Sequence, residues 1–366
     1  MKIAFLSLLG VFDYYQIGGT DSYLRRLSNE IIKQDDSIEI DWVFYQSPKS
    51  IRVVHNRQLR SIYLGSFNET LHYLEKGNFN HIVATYLNPI DRIKFVNFRA
   101  RHSNTILFHN IVFFYPTSII KRLIKFSEFM QSPYNGTVFC VSKRILKEIS
   151  RINTRAIYLP PPIPNDYYVS INDKPIQEKI QVTFLGRIDP RKGIKEVIDL
   201  IVSLENNNRF IKSIYGIHIP TDHAGLELHN WLSNQDLIDY YPISRHSYSE
   251  KIDQNVRNIL RSTDIFLQPY TTLESTVDTP LLLLEAMASL CVILTTRVGD
   301  IPGIYQSNRY IFDIVDFKKR ALDIISHIDS DQILSERIRI NKLNNEMLNR
   351  SNLIAQRFLD AISRKI

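Results

Sequence analysis

Cysteine is scarce in this chain, with two residues in 366. Cys140 lies in the run TVFCV and Cys291 in LCVIL, and neither has a second cysteine or a histidine at metal-ligand spacing. Isolated thiols inside apolar segments are typical of proteins kept in a reducing compartment. The cysteine pattern therefore excludes a cysteine-based metal site and favours a cytoplasmic location.

A long apolar run is also missing. The most apolar stretch follows Pro280, but Glu285, Ser289, Thr295 and Thr296 interrupt it, whereas a membrane-spanning helix needs about 18 consecutive apolar residues. The opening MKIAFLSLLGVF has one lysine and a short apolar run, and no small-residue cleavage site follows it. We expect a buried first strand there and no membrane-spanning helix in the chain.

Length and patterning predict two domains of the α/β class. Strand-like segments such as KIAFLSL and QVTFLG alternate with amphipathic helical ones, as in doubly wound parallel sheets. The only Pro-rich, weakly patterned stretch begins at LPPPIPND and marks a linker. We predict a Rossmann-like domain over residues 1–168, a second over 169–345, and a helix over 346–366 that packs back on the first. The tail from residue 335 is expected to be helical throughout.

Charge is distributed unevenly between the two halves. Residues 1–170 hold 21 Lys and Arg against 13 Asp and Glu, a net charge of +8, while residues 171–366 hold 24 against 25. One interpretation is a solvated basic face. The other is an anionic membrane surface as partner, because the segment PTSIIKRLIKFSEFM mixes isoleucine with lysine and arginine as an interfacial helix does. No nucleic-acid-binding motif accompanies the charge, so nucleic acid is not an expected partner.

Two glycines precede the first helix in the segment IGGTDSYLRRLSNE. Backbone N–H groups at Gly18 and Gly19, together with the helix dipole, can face an anion. A plain turn is the alternative. The segment lacks the G-x-G-x-x-G spacing of dinucleotide-binding folds, so NAD binding is not predicted.

The segment VTFLGRIDPRKGIKEVIDLI carries a stronger signal. A strand ends at Gly186, Arg187 and Lys192 flank a proline-containing turn, and Gly193 opens a helix. Two cations beside a helix N-terminus suit a diphosphate, since they stabilise the negative charge that grows as a sugar departs. An ordinary basic surface turn is the alternative.

A single carboxylate stands in the apolar helical run PLLLLEAMASLCVIL. Burying Glu285 costs free energy unless the carboxylate is hydrogen-bonded or faces a ligand. At the start of a helix it can accept hydrogen bonds from the hydroxyls of a sugar or ribose. A structural glutamate with satisfied hydrogen bonds is the alternative.

Taken in order, these segments resemble the GT-B retaining glycosyltransferases of group 1, also called family 4. The resemblance runs from the GGT loop through His109-Asn110, VSKRILKEI, the Pro-rich linker and GRIDPRKG to LLLLEAMASLCVILTTRVGDIP. It implies two Rossmann-like domains facing each other across a cleft. It also implies that Arg187 and Lys192 bind the donor diphosphate and that Glu285 binds the nucleotide ribose.

The resemblance assigns further residues to the donor and reaction sites. Gly18 and Gly19 would meet the phosphate or the acceptor, Gly186 would lie at the donor, and His109 would lie near the reacting sugar. The sequence departs from the family where a first glutamate is expected, since Val277 occupies that position. Asp278, its neighbour, is the candidate replacement.

The implied activity is retaining transfer of a sugar from a nucleoside diphosphate sugar to a glycan or lipid-linked acceptor, in cell-surface polysaccharide or glycolipid biosynthesis. The family analogy implies no metal and no other cofactor. We expect a cytoplasmic protein, peripheral on the inner face of the membrane. Two other classes stay open: a non-catalytic GT-B subunit that binds a sugar nucleotide or glycan, and a GT-B sugar-nucleotide epimerase.

Overall fold

The computed structural model describes residues 1–114, 136–204, 207–218, 223–235, 238–244, 248–273, 276–347 and 349–363. The contacts between residues divide the chain into two compact units. The first contains Met1–Gln16, Thr20–Pro162 and Asn349–Ile366, and the second contains Ile17–Gly19 and Ile163–Leu348. The predicted domain boundary after residue 168 lies six residues beyond this division.

The first unit is built on an eight-stranded sheet. Its strands are β1 (Lys2–Leu8), β2 (Glu39–Tyr45), β3 (Ile51–Val54), β4 (Leu59–Leu64), β5 (His81–Tyr86), β6 (Leu107–Val112), β7 (Val138–Cys140) and β8 (Ala156–Tyr158). They lie in the order β3-β4-β2-β1-β5-β6-β7-β8, and all pairs are parallel except the β3–β4 hairpin. The sequence pattern did not indicate that hairpin.

Helices connect these strands, and several begin at a capping side chain. They are α1 (Gly19–Gln34), α2 (Phe67–Lys76), α3 (Pro89–His102) and α4 (Lys143–Ile149). Ser66 accepts a hydrogen bond from the N–H of Glu69, Asn88 from Asp91 and Ser142 from Ile145. Each cap satisfies a donor that the helix cannot satisfy itself, which explains why these helices begin where they do.

The second unit is built on a six-stranded parallel sheet. Its strands are β9 (Ile180–Arg187), β10 (Phe210–His218), β11 (Asp239–Ser244), β12 (Ile265–Gln268), β13 (Val292–Thr296) and β14 (Ile311–Phe312), in the order β11-β10-β9-β12-β13-β14. Strands β12 and β13 are buried along their whole length. Such continuous burial is typical of parallel sheets covered by helices on both faces.

The helices of this unit are α5 (Ile194–Ser203), α6 (His223–Ser233), α7 (Glu250–Ser262), α8 (Leu281–Ala288), α9 (Ile301–Tyr305), α10 (Phe317–His327) and α11 (Ser330–Met347). Helix α5 buries Val197, Ile198 and Ile201 in the same core as β9. The α/β class and the two Rossmann-like, parallel-sheet domains predicted from the sequence are confirmed.

The C-terminal tail is two helices, so the prediction of one continuous helix was wrong. Helix α11 ends at Met347, and a second helix, α12, runs over Ser351–Ser363. The carbonyl of Arg350 accepts hydrogen bonds from Leu353 and Ile354, which begins a new helical turn. Asparagine and serine near this junction favour helix ends over helix interiors. In the first unit, Phe358 of α12 packs on Phe5 and Phe139, with ring centroids 6.0 and 4.8 Å apart.

Strand order identifies where a ligand would bind in each sheet. The order reverses at β1, which lies between β2 and β5, and at β9, which lies between β10 and β12. Ligands of open α/β sheets bind outside the carboxyl ends of the strands at such reversal points. In the second unit this criterion selects the segment that directly follows β9.

Candidate functional site

The segment after β9 contains the cations predicted to bind a diphosphate. Gly186 and Arg187 are the last two residues of β9, and a single 3₁₀ turn over Pro190–Lys192 leads into α5. Arg187 is partly exposed, and its Nη1 atom lies 3.9 Å from Oδ2 of Asp189. The structure thus places Arg187 and Lys192 at the carboxyl end of the strand where the sheet order reverses.

Asp189 holds the turn in shape, a role that the sequence analysis missed. Its buried carboxylate accepts hydrogen bonds from the backbone N–H of Arg191 at 2.9 Å and from the guanidinium of Arg191 at 3.0 and 2.8 Å. Burial raises the pKa of Asp189, but the hydrogen bonds from Arg191 and the charges of Arg191 and Arg187 outweigh burial and lower it. Asp189 is therefore an ionised anchor, with Arg191 as its main partner.

Gly193 is required by the geometry of the same turn. Its φ of +75° lies in the left-handed region, and a Cβ atom there would come within 1.9 Å of the carbonyl oxygen of Pro269. Only glycine combines that backbone conformation with such a close approach. Gly193 also begins α5 without a capping side chain in the described residues, so the first turn of α5 relies on other partners for its N–H groups.

The ammonium of Lys192 contacts an aromatic face. Its Nζ atom lies 4.6 Å from the ring centroid of Tyr270, a buried residue just beyond β12. The pKa of Lys192 is lowered to about 7, chiefly by burial and then by the positive charges of Arg187 and Arg191, while the charge of Asp189 opposes this change. Since Arg187 acts electrostatically on Lys192, the fold brings the two predicted cations together.

Glu285 lies near the same group. It is the fifth residue of α8 and is buried, with 3% of its surface exposed. Burial raises the pKa of Tyr270, and the charge of Glu285 raises it further. A hydrogen-bond contribution from Thr276 and the charge of Arg187 oppose this rise without cancelling it. The charges of both Glu285 and Arg187 therefore act on Tyr270.

Asp278 lies just before α8 and is buried, whereas Val277 is partly exposed. The carbonyl of Asp278 accepts a hydrogen bond of 3.0 Å from the N–H of Asp300. Gly299 adopts a φ of +60°, and a Cβ there would lie 2.8 Å from the carbonyl oxygen of Asp278 and 3.2 Å from its Oδ1. The carboxylate of Asp278 thus packs closely against the turn at Gly299.

His109 occupies a different environment, inside the first unit. Its Nδ1 accepts a hydrogen bond of 3.0 Å from the backbone N–H of Thr137, and its Nε2 lies 3.2 Å from Nδ1 of His81. The ring is buried, with 2% exposed, and burial together with the nearby His81 lowers the pKa of His109 to about 3. His109 is therefore a neutral imidazole with both ring nitrogens engaged.

Gly18 and Gly19 lie where β1 is followed by α1, and α1 begins at Gly19. Neither is among the glycines with positive φ, which in the described residues are Gly10, Gly193 and Gly299. The loop before them is tied down by Arg25, whose guanidinium donates to the carbonyls of Tyr14 and Gln16. The structure thus places the two glycines at the start of α1 without a conformational need for glycine.

Three further expectations concern the segment with interfacial character, membrane-spanning helices and metal ligands. The segment PTSIIKRLIKFSEFM, residues 116–130, lies outside the described residues. Within the described part of the chain, no helix is long and apolar enough to span a membrane. Across the same residues, no three His, Cys, Asp or Glu side chains are grouped as metal ligands.

Comparison with protein families points to glycosyl transfer. Residues 170–344 match the family described as glycosyl transferases group 1. The chain is 26% identical over 172 residues to the phosphatidylinositol N-acetylglucosaminyltransferase GPI3 subunit of Saccharomyces cerevisiae. That match covers 44% of this chain and 35% of the yeast protein, so the chain spans about a third of the relative's length.

Solved structures with the same fold cover the whole chain. Trehalose-6-phosphate synthase of E. coli, bound with UDP-2-fluoro glucose, superposes with a TM-score of 0.67 at 11% identity, covering 100% of both chains. Anabaena HepE, in complex with UDP and glucose, gives 0.70 at 11% identity and 100% of both chains. A trehalose-phosphate synthase from Burkholderia xenovorans, in complex with glucose-6-phosphate, gives 0.70 at 10% identity and 99% of both chains. The chain therefore has the GT-B glycosyltransferase fold, and its residues 170–344 match the group 1 glycosyl transferases.

Proposed function

We propose that this protein is a retaining glycosyltransferase that moves a sugar from a nucleoside diphosphate sugar to a glycan or lipid-linked acceptor. The observation that carries the proposal is the pairing of Arg187 and Lys192 at the carboxyl end of β9, where the sheet order reverses. The side-chain ammonium of Lys192 has no hydrogen bond or ion pair to another described residue, while its backbone N–H donates to the carbonyl of Asp189 at 2.8 Å. A partly desolvated ammonium without an anion is a site prepared for one.

Relatives support a uridine nucleotide as the donor to test first. The two GT-B structures described above as bound to UDP or UDP-2-fluoro glucose share this fold over their whole length. The name of the yeast relative specifies transfer of N-acetylglucosamine in the context of phosphatidylinositol, which supports a lipid-linked acceptor. We place the leaving diphosphate at Arg187 and Lys192, the ribose at Glu285 and the donor sugar near Asp278.

In the proposed reaction the two cations stabilise the charge on the departing diphosphate. This charge develops as the bond between the anomeric carbon and the phosphate oxygen lengthens, so fixed positive groups lower the barrier. The donor's own phosphate accepts the proton of the acceptor hydroxyl, without a resident metal. A direct side-chain role for His109 at the sugar would require the buried ring to break at least one of its two hydrogen bonds, so we expect His109 to act by holding the end of β6.

Binding of UDP to the wild-type protein and three variants tests the donor site. We expect Arg187→Ala and Lys192→Ala each to weaken UDP binding about 10- to 100-fold, because a charged hydrogen bond contributes roughly 1.5–3 kcal/mol. Lys195→Ala is the matched control, since Lys195 is an exposed lysine three residues further along. Calorimetric titration measures all four. Absence of binding by UDP, GDP and ADP to the folded wild-type protein would overturn the proposal.

Turnover tests the reaction itself. With a UDP-sugar and a candidate lipid-linked or glycan acceptor, we expect product whose anomeric configuration matches the donor, as read by NMR. The rate should be unchanged by EDTA. Conversion of the donor without any acceptor would instead indicate an epimerase, and donor binding without turnover would indicate a binding subunit.

We also propose that the basic first half contacts an anionic membrane surface. The support is its net charge of +8 over residues 1–170. Sedimentation with phosphatidylserine vesicles should retain the protein at low salt and release it as salt rises, since counterions screen such contacts. Phosphatidylcholine vesicles are the control, and equal binding to both compositions would contradict an electrostatic contact.

A further inference from the structure

Lys192 and Tyr270 form a contact that the donor-binding roles above do not explain. The ammonium lies over the ring of Tyr270, with 4.6 Å from Nζ to the ring centroid. In the described part of the chain, the ammonium has no hydrogen-bond acceptor and no carboxylate within ion-pair distance. The carboxylate nearest in sequence, Asp189, is occupied by the backbone and guanidinium of Arg191.

This arrangement leaves the ring as the group that fixes the lysine. A cation over an aromatic face is attracted to the negative side of the ring, and the attraction strengthens when water is excluded. The ring contact uses none of the three N–H donors in a hydrogen bond to an oxygen. The side chain is thereby held in place while its hydrogen-bonding capacity is retained.

Tyr270 is itself rigidly placed. Its carbonyl accepts a hydrogen bond of 2.5 Å from the hydroxyl of Thr296 on β13. Its backbone N–H donates to the carbonyl of Gln268 at 3.1 Å. The backbone that carries this ring is thus tied to β13, and the ring itself is buried.

We propose that Tyr270 is a positioning residue of the donor site, whose ring holds the Lys192 ammonium with its N–H groups available to the oxygens of a nucleoside diphosphate. The inference rests on the proposed function. Tyr270 acts through Lys192 and does not itself need to touch the donor. Its removal should therefore matter only while the lysine is present.

A double-mutant cycle with UDP as the probe tests this dependence. Tyr270→Leu is expected to weaken UDP binding about tenfold in the wild-type background and less than about twofold in a Lys192→Ala background. Tyr270→Phe keeps the ring face and is expected to recover most of the affinity that Tyr270→Leu loses. Tyr310→Leu is the matched control, since Tyr310 is also buried and its ring contacts the guanidinium of Arg309 at 5.4 Å.

The outcomes of the cycle test the role of Tyr270 and the proposed donor site separately. Equal losses from Tyr270→Leu in both backgrounds, or no loss in either, would overturn the inference while the proposed donor site stands. A wild-type protein that binds no nucleoside diphosphate would overturn the proposed function and, with it, the inference. Circular dichroism establishes folding of each variant, and Tyr270→Met replaces Tyr270→Leu in the cycle if the leucine variant does not fold.

Discussion

The Nε2 atom of His109 lies 3.2 Å from Nδ1 of His81, and the backbone N–H of Thr137 donates to Nδ1 of His109. Because Nδ1 of His109 accepts a hydrogen bond, the neutral ring carries its proton on Nε2 and donates it to His81. Both rings are buried. Burial lowers the pKa of His81 to about 4, and burial together with the neighbouring His81 lowers the pKa of His109 to about 3.

The histidine pair should make the protein less stable in mild acid. Histidine in the unfolded chain has a pKa of about 6.5. Below that pH the unfolded chain therefore binds protons that the two histidines of the folded protein do not bind. The contribution of the pair to the free energy of unfolding is therefore complete above about pH 6.5 and is lost as the pH falls. We expect a loss of roughly 2–4 kcal/mol between pH 7.5 and 5, measured by urea unfolding.

Replacing His109 by glutamine separates this effect from other acid-sensitive groups. His109→Gln should lower stability at pH 7.5 and reduce the additional loss at pH 5. His327→Gln is the control, since that side chain is largely exposed. An unchanged pH dependence in His109→Gln would contradict the assignment.

If His109 acts only by holding β6, His109→Gln should lower turnover only in proportion to the fraction of the protein that no longer folds.

Lys192 should make donor binding depend on pH. Its pKa of about 7 in the free protein means that the ammonium loses its proton above neutrality. A diphosphate favours the charged form, so binding above pH 7 takes up a proton, and UDP affinity should fall by up to about tenfold per pH unit. Titrations between pH 7.5 and 9 avoid the phosphate's own ionisation near pH 6. Lys192→Arg, which stays charged, should remove the slope, and a slope that persists in this variant would assign the proton elsewhere.

Gly193 should be intolerant of any side chain. Gly193→Ala adds a Cβ that meets the carbonyl oxygen of Pro269 at 1.9 Å and also strains a φ of +75°. Gly10→Ala is the matched control, because Gly10 has a φ of +89° but nothing within 4 Å of its Cβ position. We expect about 1–2 kcal/mol of destabilisation from the strain alone at Gly10 and a larger loss at Gly193. Equal losses in chemical denaturation would show that the contact with Pro269 relaxes freely.

In the second unit, replacing one partner of an ion pair should destabilise the protein most at the pair formed by Asp264 and Arg337. Both side chains are buried, and Arg337 also donates to the carbonyl of Lys174. Asp264→Asn would leave an uncompensated buried guanidinium, which costs about 3–5 kcal/mol. Asp199→Asn, which breaks the exposed pair with Lys318, should change stability by less than about 1 kcal/mol. Similar unfolding midpoints for the two variants would contradict this.

Local patterns predicted much of the fold because they depend on neighbouring residues. Strand β1 coincides with the predicted segment KIAFLSL, and β9 extends the predicted segment QVTFLG by one residue at each end. The hairpin β3–β4 was missed because β3 is only four residues long and largely exposed, and the break before α12 was missed because it is only a few residues long. The position of α12 depends on packing partners distant in sequence, Phe5 and Phe139.

The sequence by itself determined the two-domain α/β class, the order of the motifs and the cations on the turn after β9, since each depends on residue type and spacing along the chain. Only the tertiary structure decided that Arg187 and Lys192 act on each other, that Asp189 anchors their turn and that Tyr270 contacts the lysine. It also decided that both nitrogens of His109 are engaged. The physical reason is that Lys192 and Tyr270 follow different strands, β9 and β12, and that His109 and His81 lie on β6 and β5, so these side chains meet only when the sheets form.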